Sequence, residues 1–143
     1  MELFTQPRDK WKFENWKIEE FMINVLYIED HAGTARLIQL ILKRESQEIN
    51  FYHVGYLKDA LEVLATKAVD IILLDLNLPD SQGIETIQAI HSSASDLPII
   101  LMTGLGDVEI NKESVKYGVC DIYIKGDFEP KNLSKRISEL VKM

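Results

Sequence analysis

The sequence has few of the features that mark secreted or membrane-spanning proteins. It contains one cysteine, Cys120, in 143 residues, which excludes an intramolecular disulfide and a cysteine-rich metal site and favours a reducing compartment. No apolar run approaches the roughly 18 residues of a membrane span, and the charged first twenty residues do not resemble a secretory signal. A cytoplasmic protein without membrane insertion is therefore the expectation.

Positive charge is missing from the middle of the chain. The net charge is −7, and no lysine or arginine occurs between Lys67 and Lys112. Direct nucleic-acid binding is not expected, because it needs a basic face that releases counterions from phosphates. The interval is an acidic sector, which is either a solvated surface or a place for a divalent cation.

Short apolar runs alternate with helical periodicity five times. The predicted strands span residues 25–28, 49–54, 71–74, 99–102 and 122–124, and the predicted helices span 34–45, 57–67, 84–94, 108–117 and 130–142. Short strands that are apolar throughout are typical of a parallel sheet covered on both faces. Five β-α units in succession predict an α/β fold, a doubly wound (βα)5 five-stranded parallel sheet with the flavodoxin-like strand order 2-1-3-4-5.

The two ends of the chain differ in character. Residues 1–22 form a predicted N-terminal extension, and residues 23–143 form the predicted domain. Five of the twelve aromatic residues lie in the first 21 positions, without the periodicity of a strand or a helix. This extension either docks against the domain or a partner, or is poorly ordered. The last predicted helix reaches the end of the sequence, so a stand-alone domain is the expectation.

Polar side chains follow four of the predicted strands. Glu29 and Asp30 follow the first, Asp75 the third, Thr103 the fourth and Lys125 the fifth. Because the carboxyl ends of parallel strands meet at one edge of a sheet, we expect these side chains to converge. Each residue alone has a structural explanation, such as helix capping.

Three carboxylates at one edge need a further explanation. Two carboxylates about 5 Å apart repel each other by roughly 3 kcal/mol at an effective dielectric constant near 20. A divalent cation removes this repulsion, and Mg²⁺ binds through carboxylates, water and phosphate oxygens. The sequence therefore predicts a magnesium site at this edge.

Four motifs at the strand ends occur in a fixed order: Glu29-Asp30 after VLYI, Asp75 with Pro79 and Gly83 in DLNLPDSQG, Thr103-Gly104 after IILM, and Lys125 in GVCDIYIKG. From Asn24 to Met143 the chain thereby resembles the receiver domain of two-component response regulators. The resemblance implies that Asp75 accepts a phosphoryl group from a histidine kinase or a histidine phosphotransfer protein. Such a domain catalyses its own phosphorylation and dephosphorylation, and it signals through contact with a downstream target protein.

The resemblance also implies roles for the neighbours of Asp75. Asp30 and Asp75 would hold Mg²⁺ directly, the backbone carbonyl of Asn77 would be a third ligand, and Glu29 would act mainly through water. Two further residues would bind the phosphoryl oxygens: Thr103 by a hydrogen bond and Lys125 as a counter-ion.

Two positions depart from the family pattern. Ile122 stands where the family usually has an aromatic residue whose rotation reports phosphorylation, and Tyr123 follows it. Gly126 stands where the family usually has a proline after the lysine, often in the cis form. A trans bond is expected here, because a cis bond without proline costs roughly 2.5–4 kcal/mol.

Two other functions remain open at this point. One is a receiver-like docking module that works without phosphorylation, although such proteins tend to lose the acidic or lysine positions that this chain has. The other is a Mg²⁺-dependent aspartyl phosphohydrolase. That class favours a second aspartate two residues after the nucleophile, where this chain has Asn77.

Overall fold

The computed structural model describes residues 22–104 and 111–142. The strands are β1 (Ile23–Ile28), β2 (Ile49–Val54), β3 (Ile71–Leu74), β4 (Ile99–Thr103) and β5 (Val119–Ile124). The helices are α1 (Ala32–Glu45), α2 (Leu57–Thr66), α3 (Ile84–Ser93), α4 (Asn111–Ser114) and α5 (Pro130–Lys142). A 3-10 turn, Val115–Tyr117, follows α4.

The five strands form one parallel sheet in the order β2-β1-β3-β4-β5. This confirms the predicted doubly wound fold and its strand order. The direction of winding reverses between β1 and β3, so the carboxyl ends of these strands flank the crevice where open α/β sheets carry their functional groups.

The sheet separates two hydrophobic clusters because successive strand residues point to opposite faces. On one face, Leu73 and Met102 pack with side chains of α1 and α5. On the other, Leu74 and Leu101 pack with side chains of α2 and α3. All residues of β3 and β4 are buried, so the functional groups at the ends of these strands are held by a packed core.

Most predicted boundaries lie within two residues of the observed ones. Among the described residues the exceptions are the end of the fourth predicted helix, where a 3-10 turn over Val115–Tyr117 replaces the α-helix after Ser114, and the start of β5. This strand begins at Val119, three residues before the predicted start, because Asp121 interrupts the apolar pattern. β5 is an edge strand, and Arg136 Nε lies 3.2 Å from the partly buried carboxylate of Asp121. An edge strand can carry such a polar side chain, whereas a central strand of this sheet could not.

Some predictions fall outside the described residues. They are the extension at residues 1–21 and the beginning of the fourth predicted helix, residues 108–110. The boundary between extension and domain at residue 23 therefore stays a prediction. Among the residues that the structure describes, no helix is both long and apolar enough to cross a bilayer.

Candidate functional site

The carboxyl ends of β1 and β3 bring together Glu29, Asp30 and Asp75. Each residue offers a carboxylate oxygen, and these oxygens lie within 4.8 Å of one another. The sheet holds the backbone on both sides, since the Glu29 N–H donates to the Val54 carbonyl and the Asp75 N–H donates to the Ile28 carbonyl, both at 2.9 Å. The pairing of β1 with its two neighbours therefore creates the acidic cluster.

Lys125 brings a positive charge into this cluster. Its Nζ atom lies 2.7 Å from Oε1 of Glu29 and 3.0 Å from Oδ2 of Asp75. Burial by itself lowers the pKa of Lys125, but hydrogen bonds to the two carboxylates outweigh burial and leave this pKa raised. The ammonium is thus the partner that the nearly buried Asp75 requires. Among the residues that the structure describes, this one ammonium lies beside a cluster of three acidic side chains.

Glu29 is the most deeply buried of the three acids, with no exposed surface. Burial raises the pKa of Glu29 to about 8; a side-chain hydrogen bond with Asp75 adds to the rise, and Lys125 opposes it. The Oε2 atom of Glu29 is buried and has no hydrogen-bond partner among the described residues. A buried oxygen in this state marks a place for a bound water or ion.

The donor set fits Mg²⁺ because it consists of hard oxygen ligands that carry an excess of negative charge. The orphaned Oε2 of Glu29 strengthens the fit. The backbone of Asn77 is also close, since its N–H donates to Oδ1 of Asp75 at 3.1 Å. The three carboxylates are therefore groups that could hold the ion, whereas a role for the Asn77 carbonyl stays a prediction.

Thr103 and Lys125 reach the same edge from β4 and β5. Thr103 is buried at the end of β4, and its carbonyl accepts a hydrogen bond from the Lys125 N–H at 2.8 Å. The Thr103 hydroxyl donates to the carbonyl of Gly104 at 3.2 Å. All the residues that the sequence placed at the strand ends are thus gathered at one edge, whereas their chemical roles stay predictions.

Sequence reasoning did not single out two residues near this site. Asp80 lies in the loop after Asp75 and bonds to the start of α2. Tyr27 is fully buried in β1, and burial raises its pKa, with the charges of Glu29 and Asp75 adding to the rise. No local sequence pattern predicts either feature, because both depend on segments that are distant in the chain. A third residue, His31, follows Asp30 and caps α1 by accepting a hydrogen bond from the Thr34 N–H.

Comparisons with known proteins found similar sequences. The family model described as the response regulator receiver domain matches residues 25–138. The luminescence regulatory protein LuxO of Vibrio campbellii is 39% identical over 98 residues, which are 68% of this chain and 21% of LuxO. The cell cycle response regulator CtrA of Brucella ovis is 33% identical over 120 residues, 84% of this chain and 50% of CtrA. The chain thus spans half or less of these relatives.

Solved structures share the fold. A CheY-like response regulator receiver domain protein from Methanospirillum hungatei superposes with a TM-score of 0.74 at 21% identity, covering 85% of this chain and 94% of that protein. The signal receiver domain of a LuxO repressor protein from Vibrio parahaemolyticus has the same TM-score at 25% identity, with coverages of 85% and 91%.

Proposed function

Because this chain belongs to the receiver domain family of two-component response regulators, we propose that it accepts a phosphoryl group on Asp75. The observation that carries the proposal is the Lys125 ammonium, which lies between Glu29 and Asp75 at the edge that also presents Asp30. This arrangement combines a carboxylate nucleophile, an anion-binding cation and a cluster of oxygen ligands within one crevice.

In the proposed reaction, a carboxylate oxygen of Asp75 attacks the phosphorus of a phosphohistidine. The phosphorus–nitrogen bond breaks as the new oxygen–phosphorus bond forms, and its electron pair goes to the ring nitrogen. With the other ring nitrogen of the phosphohistidine protonated, the products are an acyl phosphate on this chain and a neutral imidazole on the donor. Lys125 would then pair with one phosphoryl oxygen, and the Thr103 hydroxyl would donate to another. Both groups already lie at the ends of neighbouring strands.

The proposed cofactor is Mg²⁺, held by Asp30, Asp75 and the backbone carbonyl of Asn77, with Glu29 acting through water. When bound, the ion neutralises charge on the transferring phosphoryl group. Support comes from the carboxylate oxygens within 4.8 Å of one another and from the unpartnered, buried Oε2 of Glu29.

The proposed partners follow from the same reaction. The donor would be a histidine kinase or a histidine phosphotransfer protein, and the signal would pass by contact to a downstream target protein. The relatives LuxO and CtrA, whose names describe them as regulatory proteins, support a regulatory role rather than a metabolic one.

Phosphorylation should require Asp75. We expect the Asp75→Asn protein to stay folded, because asparagine keeps the side-chain volume and an acceptor for the Asn77 N–H, but to remain unphosphorylated. The measurement is intact mass after incubation with acetyl phosphate and Mg²⁺, with circular dichroism to check the fold. An exposed aspartate in the turn after Lys125 provides the matched control, Asp127→Asn, which should gain one phosphoryl group as the wild type does. Full labelling of Asp75→Asn at the wild-type rate would refute the assignment.

A further inference from the structure

The loop between Asp75 and α3 contains a short hairpin. Residues Asn77–Leu78 pair with Ser81–Gln82 in antiparallel fashion, and Pro79 and Asp80 form the tip. The first residue of this hairpin is the one whose N–H bonds to Oδ1 of Asp75. Any contact that holds the hairpin therefore also holds the backbone next to the phosphoacceptor.

The tip of the hairpin bonds to the beginning of α2. The Asp80 carboxylate accepts hydrogen bonds from the Leu57 N–H at 2.8 Å and the Lys58 N–H at 3.1 Å, one to each oxygen. The N-cap residue of this helix is Tyr56, whose side chain makes no capping hydrogen bond. Asp80 thus satisfies two of the free N–H groups of α2 from a different segment of the chain.

The electrostatics favour this contact. The N-terminus of a helix carries a partial positive charge that attracts carboxylates. Desolvation raises the pKa of Asp80, but the backbone hydrogen bonds from Leu57 and Lys58 outweigh it, and the pKa is lowered. A charge-assisted bond through two oxygens also restricts the orientation of the carboxylate more than a single bond would.

We propose that Asp80 is a positioning residue, which ties the hairpin after Asp75 to α2 and thereby keeps the Asn77 backbone in place for Mg²⁺. This inference rests on the proposed function, because Asn77 is one of the groups assigned to the ion. The hairpin has two residue pairs of its own, and Leu78, in the pair next to the tip, is buried. The bonds of Asp80 hold the exposed tip itself.

A helix cap alone would produce a different result from a tether, and the two can be separated. Tyr56 already has the extended backbone of an N-cap residue, with φ −132° and ψ 146°. The double variant Tyr56→Asp/Asp80→Ala therefore supplies a local cap to α2 and keeps the net charge, but leaves the hairpin untied. The matched control is Asp59→Ala, which removes a carboxylate from the first turn of the same helix without touching the hairpin.

The experiment measures three quantities on the full chain: the Kd for Mg²⁺ by titration calorimetry, the melting temperature in chelator, and hydrogen exchange at the Asn77 amide. We expect Asp80→Ala to raise the Kd about threefold to tenfold, since residues that orient metal ligands commonly affect affinity by tenfold or more, and to lower the melting temperature by a few degrees. Asp59→Ala should leave the Kd and the Asn77 exchange unchanged. Asp80→Asn, which keeps an acceptor oxygen, should be intermediate.

The double variant decides between the two roles. A tether predicts that the melting temperature recovers, whereas the weak Mg²⁺ binding and the fast Asn77 exchange remain. Recovery of all three quantities would reduce Asp80 to a helix cap and overturn the inference, as would an Asp80→Ala protein with wild-type affinity and exchange. If the wild type itself binds no Mg²⁺, the proposed function fails, and Asn77 exchange in the metal-free variants still tests the tether.

Discussion

Glu29 combines complete burial with a direct ion pair to Lys125. Carboxylates are rarely buried without a partner, and Glu29 is completely buried beside two other acids. The Lys125 ammonium is closer to Glu29, at 2.7 Å, than to Asp75, at 3.0 Å. Glu29 therefore shares the cation with Asp75, and the protein without metal carries the cost of the remaining negative charge.

The pKa of Glu29 leads to a prediction for the metal-free protein. In the unfolded chain this carboxyl releases its proton near pH 4.5, and in the folded protein it does so near pH 8. Between these values the native state binds more protons, so the free energy of unfolding should fall as pH rises through this window, by up to about 1.4 kcal/mol per pH unit. Glu29→Gln should lack this contribution.

Urea denaturation in chelator, at pH values from about 5 to 8, measures the effect as the difference between the wild-type and Glu29→Gln profiles. Contributions from groups outside the site occur in both proteins and cancel in the difference. Parallel profiles would show that Glu29 is ionised throughout the window in the folded state.

At the scale of elements, β5 carries the main departures from the family. Ile122 packs with the cluster beneath α2 and α3, whereas Tyr123 packs with the cluster beneath α1 and α5, where its ring centroid lies 6.2 Å from that of Phe128. Tyr123 therefore occupies the opposite face of the sheet from the position at which the family usually has its aromatic residue. The alternation of a strand separates the two positions, although they are adjacent in sequence.

In the turn after β5, Gly126 occupies the position where the family usually has a proline, and the backbone geometry of the turn depends on this glycine. The Lys125–Gly126 peptide is trans, as predicted from the absence of proline. The Asp127 N–H donates to the Ile124 carbonyl at 3.1 Å, and Gly126 has a φ of 81°. A positive φ at the third residue alone is the pattern of a type II turn, which favours glycine there. This turn directs Lys125 back toward the acids.

Gly126→Ala should destabilise the protein by about 1 kcal/mol, because an alanine at positive φ is strained. Steric contact does not contribute, since no described atom lies within 4 Å of the added Cβ. Gly104→Ala is the matched control, because no described atom lies near its Cβ either and its φ is not positive. Urea denaturation of both variants checks the prediction, and equal stability of the two would contradict a strained turn.

For the whole molecule, the acidic cluster predicts a strong link between Mg²⁺ and stability. An ion that binds only the folded state at about 100 times its Kd stabilises by about 2.7 kcal/mol, which raises the melting temperature by roughly 5–10 °C for a domain of this size. Thermal melts with and without Mg²⁺ measure the shift. Asp30→Asn should remove most of it, whereas Asp127→Asn should keep it. A wild-type protein that melts at the same temperature in Mg²⁺ and in chelator would count against the magnesium site.

The amino-acid sequence by itself determined the fold class and which polar residues stand at the ends of the strands. The apolar runs of β3 and β4 are buried on both faces as predicted, because hydrophobic periodicity is a local property that burial selects directly. Since parallel strands end at one edge, the residues after each run necessarily meet there. The position of Asp75 at the end of DIILL thus follows from the sequence, whereas its proposed role as the phosphoacceptor awaits the labelling experiment.

Only the tertiary structure decided which of these groups contact each other and how deeply they are buried. Lys125 bonds to Glu29 across 96 positions, and Asp80 bonds to Leu57 across 23. The start of β5 at Val119 likewise depends on its place at the sheet edge, which permits Asp121. Local patterns carry no information about such pairs, because long-range contacts and the desolvation of a charge arise only when distant segments pack together.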